Sequence, residues 1–324
     1  MENGKKTNTG RILFIGGAIV VVIMVLGTIW IGRSAQKDTI DAVRSVSMLY
    51  LDELAGRREQ VVEDNLNDNI RVINIALGMI SDEDMGDLEH MRAYQRNVKQ
   101  LFSLERFAFV DEDGLVYTAD EDIVDEIDQY AFDYKTLSGP EISIKNEESP
   151  EKKVVIAVPI RDRGLSINGK QMVVCFMEID MNVMLQGVSM KSQSSESTFC
   201  NIYTDQGIAL SNTVLGGLAV EDNLLEALSN AKYEEGYSYD QVVRDFSEGN
   251  KGVVSFTYDG IQETISYIPV RGTNWLLTYL IRESVISERI GALSNGILRR
   301  SLLQSVLTAL VLGLMFAFLV SQIR

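Results

Sequence analysis

Basic residues are scarce in this 324-residue chain. Lysine and arginine total 30 against 46 aspartates and glutamates, which gives a formal net charge of -16. A nucleic-acid backbone is bound through clustered lysine and arginine and would be repelled by such a surface. The composition therefore excludes nucleic acid as a partner.

Cysteine, proline and histidine are also rare, with two, four and one residue respectively. Two cysteines cannot make a disulfide scaffold, and the glycine and proline content excludes collagen-like and proline-rich chains. Cys175 and Cys200 fall in predicted strands of different domains, where buried free thiols are the usual state, and an interdomain disulfide stays open. The single histidine, His90, lies in a polar context that predicts an exposed helix.

Long uncharged runs are present at both ends of the chain. The first covers twenty residues, 12–31, and at 1.5 Å per residue it would cross about 30 Å of hydrocarbon. The second, 302–323, has strongly polar residues only near its ends. Both predict transmembrane helices, and the first is too long and lacks the cleavage site expected of a signal peptide.

Basic residues before the first run orient the chain. Lys5, Lys6 and Arg11 favour a cytoplasmic N-terminus by the positive-inside rule. We therefore expect a two-pass protein of the cell membrane with both termini in the cytoplasm and residues 33–301 outside it.

The region after the first run predicts a long helix. Apolar residues at Leu66, Ile70, Ile73, Leu77 and Ile80 follow the 4, 3, 4, 3 spacing of one helix face. A looser stripe continues upstream, so the segment is either one helix or two with a break near Gly56.

One strand pattern then occurs twice. An apolar run, a polar turn ending in glycine and a second run occupy residues 107–120, and the pattern recurs around Gly207, which lies 93 residues after Gly114. Glycine supplies the positive φ of a tight hairpin. Strands ending in Pro159 and Pro269 follow, and each is succeeded by a further apolar strand. The sequence predicts an α+β fold with two antiparallel-sheet domains in tandem.

This order of elements resembles the double Cache sensor region of bacterial transmembrane receptors, such as sensor histidine kinases and GGDEF-type diguanylate cyclases. The resemblance implies two PAS-like domains on a long N-terminal helix, flanked by two transmembrane helices. The expected parts are a cytoplasmic N-terminus (1–11), a first transmembrane helix (12–31), a long helix (33–80), a distal Cache domain (81–190), a proximal Cache domain (195–282), a connecting helix (283–301) and a second transmembrane helix (302–323).

The resemblance also points to a ligand site in the distal domain. Family members that bind amino acids use an arginine and aromatic residues near the first hairpin, with an acid on a later strand. Here the matching stretch has aromatics but lacks the arginine and the tryptophan, so the implied ligand is a small extracellular molecule of unspecified class. The candidate ligand-binding residues are Tyr117, Tyr130, Tyr134, Arg161 and Glu178.

A second apolar stripe joins the last strand to the second run. Ile286, Ile290, Leu293 and Ile297 share one predicted helix face and are candidates for signal transmission. That face is expected to pack on the first helix or on the partner of a membrane homodimer. The resemblance further implies a cytoplasmic output domain outside this chain, a histidine kinase or a diguanylate cyclase.

Enzymatic chemistry finds no support in the residues. The sequence offers no recognisable nucleophile, base or metal cluster, so we expect no catalytic residue, metal or cofactor. Nine acids lie between Asp111 and Asp128, but their spacing departs from a calcium-binding loop and favours a solvated turn. The alternatives to a sensor are a membrane-anchored adhesion or scaffold protein and, less favoured, an extracellular enzyme.

Overall fold

The computed structural model describes residues 3–120, 127–147, 149–185, 198–210 and 222–322, and within these only part of the side chains of the first and last helices. The chain forms two compact units, one made of residues 1–49 and 283–324 and the other of residues 50–282. The first helix contributes to both units.

Helix α1 runs from Asn3 to Met79 without interruption. The helix passes through Gly56, so the described backbone shows one helix rather than two. Within the 50–282 unit its buried face includes Val62, Leu66, Ile73 and Leu77, in agreement with the predicted periodicity.

The distal domain is built on an antiparallel sheet. The order of its main strands is β2-β1-β6-β4-β3, and the short β5 pairs with β6. Helix α2, Leu88–Phe102, precedes the sheet. Asp87 caps its N-terminus, and the Asp87 side chain accepts the backbone N–H of His90. The strands are β1 (Arg106–Asp111), β2 (Val116–Tyr117), β3 (Glu141–Lys145), β4 (Lys153–Pro159), β5 (Ser166–Ile167) and β6 (Lys170–Asp180), followed by α3 (Met181–Met184).

The proximal domain repeats this arrangement. Its strand order is β7-β11-β10-β9-β8, and a bridge between Tyr203 and Ala209 adds the second arm of its hairpin. The strands are β7 (Thr198–Thr204), β8 (Lys232–Tyr233), β9 (Gly252–Tyr258), β10 (Ile261–Pro269) and β11 (Trp275–Arg282), with helices α4 (Leu224–Ser229) and α5 (Tyr239–Glu248) before β9. The prediction of two tandem antiparallel-sheet domains is confirmed.

Helix α6 spans Glu283–Gln322. Within the described residues, two helical segments are long and apolar enough to cross a membrane, Ile19–Thr39 in α1 and Asn295–Met315 in α6, and they overlap the predicted 12–31 and 302–323. Of the four candidate signalling residues, Ile297 is exposed, whereas the side chains of Ile286, Ile290 and Leu293 lie outside the described part. Their packing stays a prediction.

The two predicted hairpin glycines both have positive φ, +87° at Gly114 and +82° at Gly207. A Cβ atom on Gly207 would lie 2.8 Å from Leu225 Cγ and 2.9 Å from its backbone nitrogen. The turn is therefore restricted to glycine both by its backbone conformation and by its close approach to the start of α4.

We predict that Gly207→Ala lowers the free energy of unfolding by about 3 kcal/mol, because it adds a backbone collision to the strain of positive φ. The matched control is Gly260→Ala, which has φ +77° and open space around the added atom. That variant should lose only about 1 kcal/mol. Chemical denaturation of the purified chain in detergent measures both, and equal losses would contradict the close approach.

Candidate ligand-binding site

A buried carboxylate in the distal sheet accepts two hydrogen bonds and pairs with a second cation. The side chain of Glu178 on β6 is 3% exposed, and its Oε1 accepts the hydroxyl of Tyr130 at 2.6 Å. Lys145 Nζ lies 3.1 Å from the same oxygen, and Arg106 Nε lies 3.6 Å away. These four side chains form a cluster that we call the distal polar cluster.

Sheet register brings the cluster together. Arg106 opens β1 and pairs directly with Glu178 on β6. Lys145 ends β3, the edge strand, and reaches across β4 to the same carboxylate. Tyr130 follows a 3-10 turn at Ile127–Gln129 and covers this face of the sheet.

The electrostatics of the cluster are unbalanced. Burial, together with the adjacent Glu178, raises the pKa of Tyr130 far above its ordinary value, so the phenol stays protonated and donates. Lys145 Nζ also lies 4.3 Å from the centre of the Tyr130 ring, within cation–π range. Two cations therefore share one carboxylate, and the formal charge of the cluster is +1.

Aromatic rings border the cluster. Tyr130 packs on Phe176 with ring centres 4.5 Å apart, and Phe132 contacts both, at 5.6 Å from Tyr130 and 5.4 Å from Phe176. Polar groups that fix orientation beside aromatic contact area are the usual composition of a small-molecule site.

The proximal sheet shows what stands at the same positions in the second copy. The prolines that end β4 and β10 align the two sheets. Pro159 pairs with Val174 in β6, and Pro269 pairs with Leu276 in β11. Four residues beyond those partners lie Glu178 and Leu280, so corresponding positions can be read along both sheets.

Wherever a strand of the distal sheet contributes a charged residue to the cluster, the proximal sheet has an apolar residue at the corresponding position. Arg106, Lys145 and Glu178 correspond to Phe199, Phe256 and Leu280. All three apolar residues belong to the proximal hydrophobic core. The fold therefore tolerates an apolar interior at these positions, and only the distal copy carries charge there.

The other candidate ligand residues lie elsewhere in the distal domain. Arg161 donates to the backbone carbonyls of Tyr134, Lys135 and Leu137, and so holds the covering loop. Tyr134 lies against the hairpin at Gly114. Tyr117 donates its hydroxyl to Asp111 Oδ2 at 3.0 Å in that hairpin. Of the five candidates, only Tyr130 and Glu178 belong to the cluster, and ligand contact by all five stays a prediction.

Sequence reasoning missed Arg106 and Lys145. Both are charged residues at the ends of strands, and their nearest neighbours on the same face are apolar or small, Ala108 in one strand and Ser143 in the other. A charged residue on the inward face of a strand can be recognised from the sequence and indicates a buried polar contact. Strand direction and register are needed to show that both cations meet Glu178.

The remaining candidate features have structural contacts. Both cysteines are free and buried, so no interdomain disulfide forms. Asp111 Oδ1 accepts the N–H groups of Asp113 and Leu115 and shapes the hairpin turn. Residues 121–126 of the acidic stretch lie outside the described part. His90 is exposed, and its hydrogen bond to Asp87 raises its pKa.

No protein-family model and no curated protein sequence matches this chain. Solved structures do. The ligand-binding domain of the Pseudomonas fluorescens chemoreceptor CtaA, in complex with L-leucine, is 12% identical with a TM-score of 0.50, and the match covers 75% of this chain and 98% of that one. The periplasmic domain of RsbU from Chlamydia trachomatis is 13% identical with a TM-score of 0.51, over 78% and 98%.

The extracellular domain of mmHK1S-Z3, described as a histidine kinase, is 13% identical with a TM-score of 0.53, and the match covers 76% of this chain and 98% of that one. These neighbours are Cache-type sensor domains. The region between the two candidate membrane helices therefore has the double Cache fold, as the sequence resemblance implies.

We predict that Glu178→Gln lowers the free energy of unfolding by about 3 kcal/mol, because two partly buried cations lose the carboxylate they share. Glu105→Gln is the matched control, since Glu105 Oε2 pairs with Lys153 at 3.1 Å but its side chain is 47% exposed. The control should lose less than about 1 kcal/mol. Urea titration of both variants in detergent tests the difference, and a loss as small as the control's would show that the cluster is not held by Glu178.

Proposed function

We propose that residues 33–301 are the extracytoplasmic ligand-sensing and signal-transmitting region of a bacterial receptor, with the ligand bound in the distal domain. The observation that carries this proposal is the contrast between the two copies of the fold. At three corresponding strand positions one copy has apolar residues, while the other places two cations and a carboxylate. A buried charge lowers stability unless it is well paired, so stability alone does not account for the difference.

The ligand class follows from the charge of the distal polar cluster. With two cations and one carboxylate, the cluster favours a small organic molecule that brings an anionic group to Arg106 and Lys145. Glu178 supplies an acceptor for a second polar group of the ligand, and the Tyr130 hydroxyl, which donates to Glu178, holds that carboxylate in place. The L-leucine complex of CtaA supports a small-molecule ligand in this fold, while the missing arginine and tryptophan leave the class wider than α-amino acids.

Transmission is proposed to run through α6. Helix α6 begins directly after Arg282, the last residue of β11, and contains the second candidate membrane helix. A ligand that binds two conformations of the sensor with different affinity shifts their populations. We propose that such a shift acts on α6 in a membrane homodimer and that the output is a histidine kinase or a diguanylate cyclase domain.

The first test is ligand stabilisation of the purified chain in detergent. Amino acids and mono- and dicarboxylates of two to six carbons serve as probes. We expect at least one probe to raise the melting temperature. Tyr130→Phe and Lys145→Gln should each raise the half-saturation concentration of that probe about tenfold, because each removes a polar contact at the site.

The proximal domain provides a matched control for this test. Tyr267 donates its hydroxyl to Asp245 Oδ2 at 2.6 Å, the same type of bond that Tyr130 makes to Glu178. Tyr267→Phe should leave half-saturation unchanged. A ligand whose stabilisation survives both distal variants but not Tyr267→Phe would place the site in the proximal domain. Absence of stabilisation by every probe would favour an adhesion or scaffold protein instead.

The second test concerns topology. Single cysteines replace Lys5 and Asp240, and intact cells are treated with a membrane-impermeant maleimide. Because the basic N-terminus should remain inside, we expect labelling at position 240 in intact cells and at position 5 only after permeabilisation. Cys175 and Cys200 are buried, so we expect neither to react with the maleimide. Labelling at position 5 without labelling at position 240 would reverse the proposed orientation.

A further inference from the structure

A side-chain hydrogen bond between described residues links the two candidate membrane helices. The hydroxyl oxygens of Thr28 in α1 and Ser305 in α6 lie 2.9 Å apart, although 277 residues separate them in the chain. Thr28 Oγ1 also donates to the carbonyl of Met24 at 2.8 Å. Because a threonine hydroxyl has one proton, Ser305 is the donor and Thr28 the acceptor across the pair.

The bond lies at the same depth in both helices. The uncharged run of α1 ends at Ile31 and that of α6 begins at Leu302, so Thr28 and Ser305 each lie three residues inside the end of a run. The ends of these runs follow from the sequence alone, yet the hydrogen bond joins the two helices at the same distance from them. The two segments are therefore level with each other, as two helices crossing one bilayer must be.

Burial defines one packed face on each helix. On α1, Met24, Thr28 and Gly32 are partly covered, while Ile23 and Trp30 are 64% and 73% exposed. On α6, the partly covered residues at the same four-residue spacing are Ser301, Ser305 and Ala309. Residues four apart share a helix face, so each set forms one continuous stripe.

The two stripes match in size. In an antiparallel pair centred on Thr28 and Ser305, Met24 stands opposite Ala309 and Gly32 stands opposite Ser301. The largest side chain thus faces a methyl group, and the glycine faces a small hydroxyl. Small residues of this kind allow helices to approach closely in lipid, where polar side chains also hydrogen-bond across the contact.

We propose that α1 and α6 of the same chain pack as an antiparallel pair inside the bilayer through this face, and that the hydrogen bond from Ser305 to Thr28 sets their register. In hydrocarbon neither hydroxyl can turn to water, so sliding one helix past the other leaves Ser305 only a carbonyl of its own helix as an acceptor. The contact is the position from which any movement of α6 along α1 starts.

Disulfide cross-linking of the full chain in native membranes tests the pairing. The pair Met24→Cys with Ala309→Cys should form a disulfide within one chain under mild oxidation. The control pair Met24→Cys with Leu307→Cys should not, because Leu307 is 54% exposed on another side of α6. Variants with only one of the two introduced cysteines measure any cross-linking to the native Cys175 or Cys200.

Three results of this experiment would overturn the pairing. They are no cross-link, equal cross-linking of the control pair, and a product of twice the chain mass, which would assign the face to a second copy. The pairing requires both helices to cross one bilayer, which maleimide labelling tests separately. Failure of the pairing with normal labelling would leave the proposed sensor function intact.

The register is tested in the Met24→Cys and Ala309→Cys background. Adding Ser305→Ala removes the donor and should slow cross-linking about threefold, the effect expected of one hydrogen bond between membrane helices. Adding Ser305→Thr retains the hydroxyl and should retain most of the rate. Equal rates for Ser305→Ala and the parent pair would show that packing alone, without the hydrogen bond, sets the register.

Discussion

The central strands of both sheets are buried on both faces, and the rest of the 50–282 unit is arranged around that requirement. In β6 every residue from Met172 to Ile179 is buried, and in β11 every residue from Trp275 to Ile281. A sheet of this kind needs a cover on each side. One side is covered by the segment around Tyr130 in the distal domain and by α4 and α5 in the proximal domain. The part of α1 from residue 50 onward lies within the same unit and contacts both domains. Its Ala76 carbonyl accepts the Tyr94 hydroxyl, and Glu59 Oε1 accepts the backbone N–H of Arg271.

Within that frame, the distal polar cluster is a local departure from apolar packing. A carboxylate with a 3% exposed side chain must be paired, and Tyr130, Lys145 and Arg106 provide the partners. Such groups contribute little to stability compared with well-packed apolar residues, as the apolar residues in the proximal copy illustrate. Their effect is to define a charged and oriented location beside three aromatic rings, which is the property a small-molecule site requires.

Much of the fold was predictable from local patterns. The 4, 3, 4, 3 spacing from Leu66 to Ile80 predicted the buried face of α1, because helical period and burial act over one element. The glycines of both hairpins, Gly114 and Gly207, occupy positive φ as expected, since glycine adopts that conformation more readily than any other residue. The duplication was readable because corresponding hairpins and Pro-ended strands recur in the same order. The two uncharged runs likewise indicated membrane helices by length alone.

The residues of the distal polar cluster were only partly predictable, because local patterns do not specify how strands pair. Tyr130 and Glu178 meet, but Arg161 instead holds backbone carbonyls of the covering loop, and Arg106 and Lys145 enter from strands whose neighbours a single sequence does not specify. In the chain as a whole, the sequence by itself determined the element types, the duplication, the acidic surface and the apolar helices, because these depend on residues near one another along the chain. Only the tertiary structure decided which charges share Glu178 and that Ser305 meets Thr28. Those pairings depend on strand register and helix packing, which join residues far apart in the chain.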